Sequence, residues 1–376
     1  MILPGRTLGM LGGGQLGRMF TVAARTMGYR VIVLDPDPDS PAGRIADEHL
    51  HAAYEDPWAL DQLARDCAVV TTEFENVPAA TLERLARDVP VRPSAKALAM
   101  TQNRIREKRL ITALGLATAP YVEVTDEADL AAAVRAVPLP AILKRAELGY
   151  DGKGQIVIHE AGQLRDAFKA LGRAPCVLEQ RVALAREISV VLARGLDGEI
   201  TTFPVVENEH DAGILFLSSV PARVTPTLAD EARRAAALIA HGLEYCGVLA
   251  VEFFVTAGGE LLVNEIAPRP HNSGHYTLDV CITSQFEQQV RMICELPPGD
   301  TEALSPVAMV NLLGQLWAPG FPRWDRLFAD PRAKLHLYGK RVPRPGRKMG
   351  HFCYVHPELE TARARALAIH RALGSA

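Results

Sequence analysis

No run of this chain approaches the ~18 consecutive apolar residues that a membrane span needs, and its opening, MILPGRTLGML, lacks the charged start and long apolar core of a secretory leader. Its six cysteines (Cys67, Cys176, Cys246, Cys281, Cys294 and Cys353) never fall at C-x-x-C spacing. They sit in apolar or helical surroundings, which argues against a disulfide framework and for buried thiols in a reducing compartment. Basic residues form only short clusters, as at 104–109 and 341–348, and the formal net charge is -3. Non-specific binding to nucleic acid or membrane is therefore not expected, and a cytoplasmic location is. G-x-x-x-x-G-K-[ST], H-R-D and D-F-G are also missing, which removes the P-loop and protein-kinase architectures.

The residues present are those of an ordinary globular protein, 48% apolar and 23% charged. A chain of 376 residues is too long for one hydrophobic core, so two or three domains are expected. The most informative stretch runs from Gly247 to His275. Val248 to Val255 is apolar apart from Glu252, a Thr-Ala-Gly-Gly break follows, and Leu261 to Ile266 resumes with Asn264 and Glu265 inside it. Two such runs around a short glycine turn predict a β-hairpin. Glu252 then lies opposite Asn264 or Glu265, depending on register. Carboxylates in strands this apolar are costly unless paired or on a metal, and two carboxylates with an amide oxygen suit Mg²⁺.

Upstream, Thr7 to Leu11 reads as a strand, Gly12-Gly13-Gly14-Gln15-Leu16-Gly17 as a turn into a helix ending near Met27, and Arg30 to Leu34 as a strand ending in Asp35. That order fits a dinucleotide fingerprint, but a Gly turn before a helix N-terminus favours any phosphate. The strand Ala68 to Thr72 runs into Glu73-Phe74-Glu75-Asn76-Val77-Pro78, at the sheet end where open α/β folds keep ligands. Glu73 is expected to touch a substrate, with helix capping as the alternative for Glu73 or Glu75. Lys96 to Leu114 reads as one charged helix. Pro140 to Lys144 is a strand, followed by the loop Gly149-Tyr150-Asp151-Gly152-Lys153-Gly154-Gln155 and the strand Ile156 to Ile158. A glycine loop between two strands suits a cover over phosphates, with Lys144 beside it and Lys153 on it. Cys176 to Gln180, Glu187 to Ala193, Thr202 to Val206 and Ile214 to Leu217 read as strands, with Glu207 to His210 joining the last two. Gln163 to Leu171, Ala229 to Leu243, Ser284 to Cys294 and Leu359 to Leu373 read as helices. Strands near Ala308 to Leu312 and Lys334 to Leu337 and a basic segment, Tyr338 to Phe352, complete the chain.

The set Lys144, Gly149 to Gly154, Glu187, Glu252 and Asn264-Glu265 resembles the ATP-grasp superfamily. The blocks GGGQLGRM (12–19), EFENVP (73–78), NEIAPRPHNSGH (264–275) and GRKMGH (346–351) resemble, more narrowly, the 5-(carboxyamino)imidazole ribonucleotide synthases, over essentially the whole chain. The resemblance implies an α/β ATP-grasp fold: a Rossmann-like pre-ATP-grasp domain at 1–95, an ATP-grasp domain at 96–296 with a lid lobe at about 118–182, and a small α+β C-terminal domain at 297–376. It implies ATP with Mg²⁺, Mn²⁺ being a tolerated substitute, and carboxylation of 5-aminoimidazole ribonucleotide through carboxyphosphate made from bicarbonate. A homodimer is the family's usual assembly.

By the same resemblance, nucleotide contacts fall on Arg104, Lys144, Gly149 to Gln155, Glu179, Gln180, Arg181, Val182, Glu187, His210, Asn264 and Glu265. Glu252, Glu265 and Asn264 would hold the metal. The ribonucleotide or carboxyphosphate would meet Gly14, Gln15, Leu16, Glu73, Asn76, Tyr150, Asp151, Arg269, His271, Lys340, Arg347 and Lys348. Of these, Tyr150, Asp151, Arg269, His271 and Lys348 would take part in catalysis. Asn103 replaces an Asp frequent in relatives and Thr72 a common Tyr. Formate-using glycinamide ribonucleotide transformylase, biotin carboxylase and a nicotinamide-binding or sensing protein are the alternatives.

Overall fold

The computed structural model describes residues 1–147, 154–318 and 320–374. Four short strands, β1 (Thr7–Leu11), β2 (Arg30–Leu34), β3 (Glu48–Leu50) and β4 (Val69–Thr72), form a parallel sheet in the order β3-β2-β1-β4. β1 and β2 read as near-continuous apolar runs because helices cover both faces. These are α1 (Gln15–Thr26), α2 (Pro57–Asp66) and α3 (Ala79–Leu85).

The single charged helix expected over 96–114 is two: α4 (Ala95–Thr101) and α5 (Arg104–Ala113). Asn103 makes the break. Its side-chain oxygen accepts the Ile105 and Arg106 N–H groups at 3.0 and 3.2 Å, the N-cap geometry for which short polar side chains are preferred.

A second sheet follows, antiparallel in the order β5-β8-β6-β7: β5 (Tyr121–Val124), β6 (Ala141–Arg145), β7 (Gln155–Ile158) and β8 (Cys176–Gln180). The helices α6 (Leu130–Ala136) and α7 (Gln163–Ala170) close its core around Leu143, Ile158 and Phe168.

The third sheet has nine antiparallel strands. In chain order they are β9 (Leu184–Arg194), β10 (Ile200–Thr202), β11 (Val206–Asp211), β12 (Ile214–Val220), β13 (Gly247–Thr256), β14 (Leu261–Ala267), β15 (Val307–Leu313), β16 (Ala333–Leu337) and β17 (Lys348–Val355). The helix α8 (Pro226–Gly242) lays Ala232, Ala236, Ile239 and Ala240 against β9 and β13, and its small residues allow close approach. After β14 come α9 (Thr277–Val280) and α10 (Gln285–Ile293); α11 (Trp324–Phe328) and α12 (Leu359–Leu373) belong to the C-terminal part. There β15 pairs with β12, so the last strands extend the central sheet.

Two readings of strands change. The strand expected over Thr202 to Val206 is divided between β10 and β11, and β11 runs through Glu207-Asn208-Glu209-His210, expected as a connection. Polar side chains tolerate that interior position because they are satisfied there. Glu207 binds Arg186 and Arg223, and Asn208 bridges Ser189 and Ser218. All six cysteines are free thiols, as expected, and no helix among the described residues is long and apolar enough to cross a membrane.

Candidate active site

The predicted hairpin is β13–β14, and Glu252 faces Glu265 directly across it. The register slips at the next pair, Phe253 opposite Val263, which leaves Asn264 as the extra residue of a bulge. Bulges re-aim side chains beside functional sites. Each carboxylate meets a basic side chain: Glu252 lies 3.1 Å from His271 Nε2, and Glu265 lies 3.3 Å from an Arg104 guanidinium nitrogen. Burial pushes the Glu252 carboxyl up, but the His271 hydrogen bond and the charges of His271, His210 and Lys348 outweigh it and hold the pKa at about 2. Glu252 is thus ionised and acceptor-only at neutral pH, and with Glu265 it supplies the hard oxygen set that suits Mg²⁺.

Glu187 lies within β9, opposite Asn208 and Phe254. Its carboxylate is 2.9 Å from His210 Nδ1, off the line of a good hydrogen bond. Burial lowers the His210 pKa, but contact with Glu187 and the charges of Glu252 and Glu187 carry it upward on balance.

Lys144, on β6, does not stand alone. Its ammonium is 3.0 Å from Glu179 Oε1, while Lys108 of α5 is 2.8 Å from Glu179 Oε2. One buried carboxylate therefore serves two buried ammoniums. Lys144 is lowered, because burial together with repulsion from Arg104 and Lys108 exceeds what Glu179 returns. Glu179 is lowered to about 2: burial raises it, and the two lysines more than reverse that. The Glu179 shift follows from its two lysine neighbours, while the Lys144 shift follows first from burial and then from sharing that one carboxylate with Lys108. The side chain of Glu179, expected to contact nucleotide, is the counter-ion of that pair. Beyond it the Gln180 N–H donates to Pro120 O at 2.8 Å and the Arg181 N–H to Pro140 O at 3.0 Å; Val182 leads from β8 towards β9.

The ends of the glycine loop are pinned. Gln155 pairs with Lys144 across β6–β7, and the Arg145 N–H donates to Gly154 O at 2.9 Å. Gly149, Tyr150, Asp151, Gly152 and Lys153 lie outside the described residues.

In the parallel sheet Glu73 takes the place of a phosphate. Its carboxylate accepts the Gly14 N–H and, at 2.6 Å, the Gly17 N–H at the start of α1. Asp35 accepts the Gly13 N–H at 2.6 Å. These amides are the ones a dinucleotide pyrophosphate would require, so the turn as built is an acid-filled cap and the nicotinamide alternative loses its site. The turn is also tight: a Cβ on Gly14 would fall 2.4 Å from Glu73 Oε1. Gln15 and Leu16 open α1 beside it, and Asn76 lies in the loop after β4. Thr72 bonds its hydroxyl to Phe74 O at 3.0 Å.

Arg269, expected to hold carboxyphosphate, is gripped by Glu75, whose two oxygens meet its Nε and Nη2. Burial raises the Glu75 carboxyl, but the adjacent guanidinium holds it at about 2. His271 sits between Glu252 and Ser273, 2.9 Å from the Ser273 hydroxyl, and Gln285 clamps its backbone from both sides. The basic segment supplies β17: Lys348 begins it, Lys340 Nζ donates to Lys348 O at 2.9 Å, and Arg347 bonds Val342 O at 2.9 Å. The Lys348 charge reaches Glu252 and His210, and the Lys340 charge reaches Glu73.

Sequence reasoning missed Lys108 and Glu107. Both lie on the buried face of α5 with Ile111, one helical turn from Arg104, and that i, i+3, i+4 spacing was the available signal. Glu107 accepts the Ile266 N–H at 2.6 Å, next to Glu265. Burial raises its pKa to about 7 despite Arg104.

The comparisons with known proteins fit this geometry. Three family descriptions match in order: the ribonucleotide synthetase preATP-grasp domain over residues 5–102, the ATP-grasp domain over 109–286 and the phosphoribosylaminoimidazole carboxylase C-terminal domain over 307–365. The N5-carboxyaminoimidazole ribonucleotide synthase of Bacillus subtilis is 46% identical over 365 residues, covering 96% of this chain and 94% of that one. Its counterpart from Brucella melitensis is 44% identical over 356 residues, covering 94% and 97%. An ADP complex of the PurK N5-carboxyaminoimidazole ribonucleotide synthetase superposes with a TM-score of 0.93 at 44% identity, covering 98% of this chain and 97% of that one. The synthase from Aspergillus clavatus, in complex with ADP and 5-aminoimidazole ribonucleotide, superposes with a TM-score of 0.90 at 31% identity, covering 98% of each chain. The chain belongs to the N5-carboxyaminoimidazole ribonucleotide synthase family of ATP-grasp ligases.

Proposed function

We propose that this chain carboxylates 5-aminoimidazole ribonucleotide at the expense of ATP, giving 5-(carboxyamino)imidazole ribonucleotide, ADP and phosphate in purine biosynthesis. The observation that carries it is the Lys144–Glu179–Lys108 triad beside the Glu252–Glu265 ladder. Arg104 links the two, pairing with Glu265 while its charge reaches Glu179 and Lys144, and a nucleoside triphosphate with its metal suits both. Named relatives of the same family, one of them bound to ADP and 5-aminoimidazole ribonucleotide, support the choice of substrate.

A bicarbonate oxygen attacks the γ-phosphorus, and the bridging P–O bond breaks with its electron pair leaving on ADP. The resulting carboxyphosphate breaks its C–O bond to phosphate, releasing CO₂ and phosphate. The exocyclic amine forms the N–C bond with CO₂ and gives up one proton, for which Asp151, assisted by Tyr150, is the acceptor. Glu252 and Glu265, with Asn264, would hold Mg²⁺, which when bound neutralises phosphoryl charge. Lys144 and Arg104 hold phosphate oxygens, and the loop from Gly149 to Gln155 excludes water from the short-lived carboxyphosphate. The segment Glu179 to Val182, Glu187 and His210 position the nucleoside. Arg269, aimed by Glu75, binds carboxyphosphate with His271 beside it, and Lys348 adds positive charge. Lys340 and Arg347 take the ribonucleotide phosphate, where an arginine gives a fork and a lysine a point charge. Glu73, Asn76 and the turn at Gly14, Gln15 and Leu16 wall the acceptor. The chain acts in the cytoplasm as a homodimer.

The test is isotopic. With ¹⁸O-bicarbonate, ATP and the aminoimidazole ribonucleotide, the released phosphate carries one bicarbonate oxygen. Formate, glycinamide ribonucleotide and biotin leave ATP cleavage unstimulated. Phosphate free of ¹⁸O, or turnover indifferent to bicarbonate, overturns the reading.

A further inference from the structure

Outside the nucleotide site, one buried cluster has no part in the proposed chemistry. His336 on β16 and His351 on β17 stand directly opposite one another, their rings stacked at 4.6 Å and 13°. Asp279, on α9, reaches the same face: both its oxygens lie 3.0–3.1 Å from His336 Nε2. One ligand atom from each of the three lies within 4.8 Å of the others. The decisive feature is His351. It is wholly buried, its Nδ1 is 2.8 Å from the Tyr338 hydroxyl, and its Nε2 has no hydrogen-bond partner among the described residues. An unpaired buried ring nitrogen costs free energy that packing alone does not return. A histidine whose one nitrogen is fixed by a hydroxyl while the other is left open is also how proteins aim a metal ligand.

We propose that Asp279, His336 and His351 bind a transition-metal dication of the Zn²⁺ class, at a site separate from the acidic hairpin. Two imidazoles and a carboxylate match that class and not Mg²⁺, which prefers an all-oxygen set. His336 keeps about 30% of its side chain exposed and gives the ion an entry path. Lys334, 3.3 Å from Asp279 and half exposed, is the resident counter-charge that the ion displaces, and the proton on His336 leaves with it. Cys353 lies on the same strand face two residues beyond His351. The bound ion would clamp α9, and with it the loop carrying His271, onto the β16–β17 pair.

The probe is Co²⁺, titrated into chelator-treated full-length protein. A low-coordinate nitrogen–oxygen site gives strong visible absorption, whereas six-coordinate oxygen binding at the hairpin gives only weak bands. Wild type should show one equivalent of the strong band, abolished by stoichiometric Zn²⁺. His336→Ala, chosen because its position is partly exposed, should lose the band while remaining folded by circular dichroism in chelator, with a lowered melting temperature because Asp279 loses its partner. Lys334→Ala should keep it and bind Zn²⁺ several-fold more tightly. Glu265→Gln should leave it untouched. Absence of the band in wild type, its persistence in His336→Ala, or its loss in Glu265→Gln overturns the proposal.

Discussion

Replacing Glu179 by Gln isolates the electrostatics on which the nucleotide site rests. The carboxylate is almost wholly buried, 3.0 Å from Lys144 and 2.8 Å from Lys108. Its pKa falls from 4.5 to about 2, and that drop corresponds to on the order of 3 kcal/mol of stability at neutral pH. The sign follows from the direction: a lowered carboxyl contributes fully above pH 4.5 and is lost as pH falls towards 2. An independent route gives the same size, since removing one partner of a buried pair leaves uncompensated charge at a cost of about 3–5 kcal/mol. Lys144 relieves part of that by releasing its proton, because its pKa is already lowered. Urea unfolding at pH 7 should therefore show Glu179→Gln less stable by on the order of 3 kcal/mol with the same denaturant slope. Adding Lys108→Met should recover at least ~1 kcal/mol of the loss, because one stranded ammonium is gone. A loss below ~1 kcal/mol, or strict additivity in the double variant, would refute the triad as the organising charge.

Four further outcomes are expected. Glu265→Gln, whose side chain is 39% exposed and paired only at 3.3 Å, should lose metal-dependent ATP cleavage by at least ~100-fold, the size of a missing transition-state electrostatic contact, with an unchanged melting temperature. Glu252→Gln should lose activity too, but also stability, since its buried pair with His271 is broken. Glu107 is raised to about 7 by burial, so its contribution is present below pH 4.5 and lost as pH rises through 7; Glu107→Gln should flatten that decline, on the order of 3 kcal/mol, in stability measured across pH. A Cβ on Gly274 would fall 2.6 Å from Gln285 Oε1, the atom that accepts the His271 N–H, so Gly274→Ala should lower kcat while leaving nucleotide affinity, read by equilibrium binding of ADP, unchanged.

What the sequence made legible was local. The acidic hairpin was readable because period-two apolar runs fix which residues share a face, and Glu252 does meet Glu265. The bulge that frees Asn264 was not, because nothing in the run marks where one extra residue is absorbed. The break at Asn103 was hidden by helix-favouring residues on either side, Ala97 to Met100 before it and Arg104 to Leu110 after it, although an asparagine before a helical run is a capping residue by type. Likewise the basic segment contains β17, buried from Met349 to Tyr354 and flanked by β15 and β16. Its glycine and its histidine disguised a central strand, in which the Tyr338 hydroxyl meets His351 Nδ1 at 2.8 Å from the segment after β16.

The partners of the charged groups were the least legible part, and the site is made of them. Glu75 and Arg269 are 194 residues apart, Arg104 and Glu265 161, and Lys144 and Glu179 35. Motif reading identified all but Glu75 as site residues while giving none of these pairings. The pairings change what each residue can do. Arg269 is held in one orientation by Glu75, and orienting the fork in advance reduces the entropy lost when an anion binds. Glu179 is the counter-ion of two lysines, and because it serves both, Lys144 retains unmet charge. A single carboxylate between two ammoniums thus leaves Lys144 sharing its counter-charge, which supports the phosphate-holding role proposed for it. Only the fold, by bringing α5 beneath β6 and β8, supplies the second lysine that makes the difference.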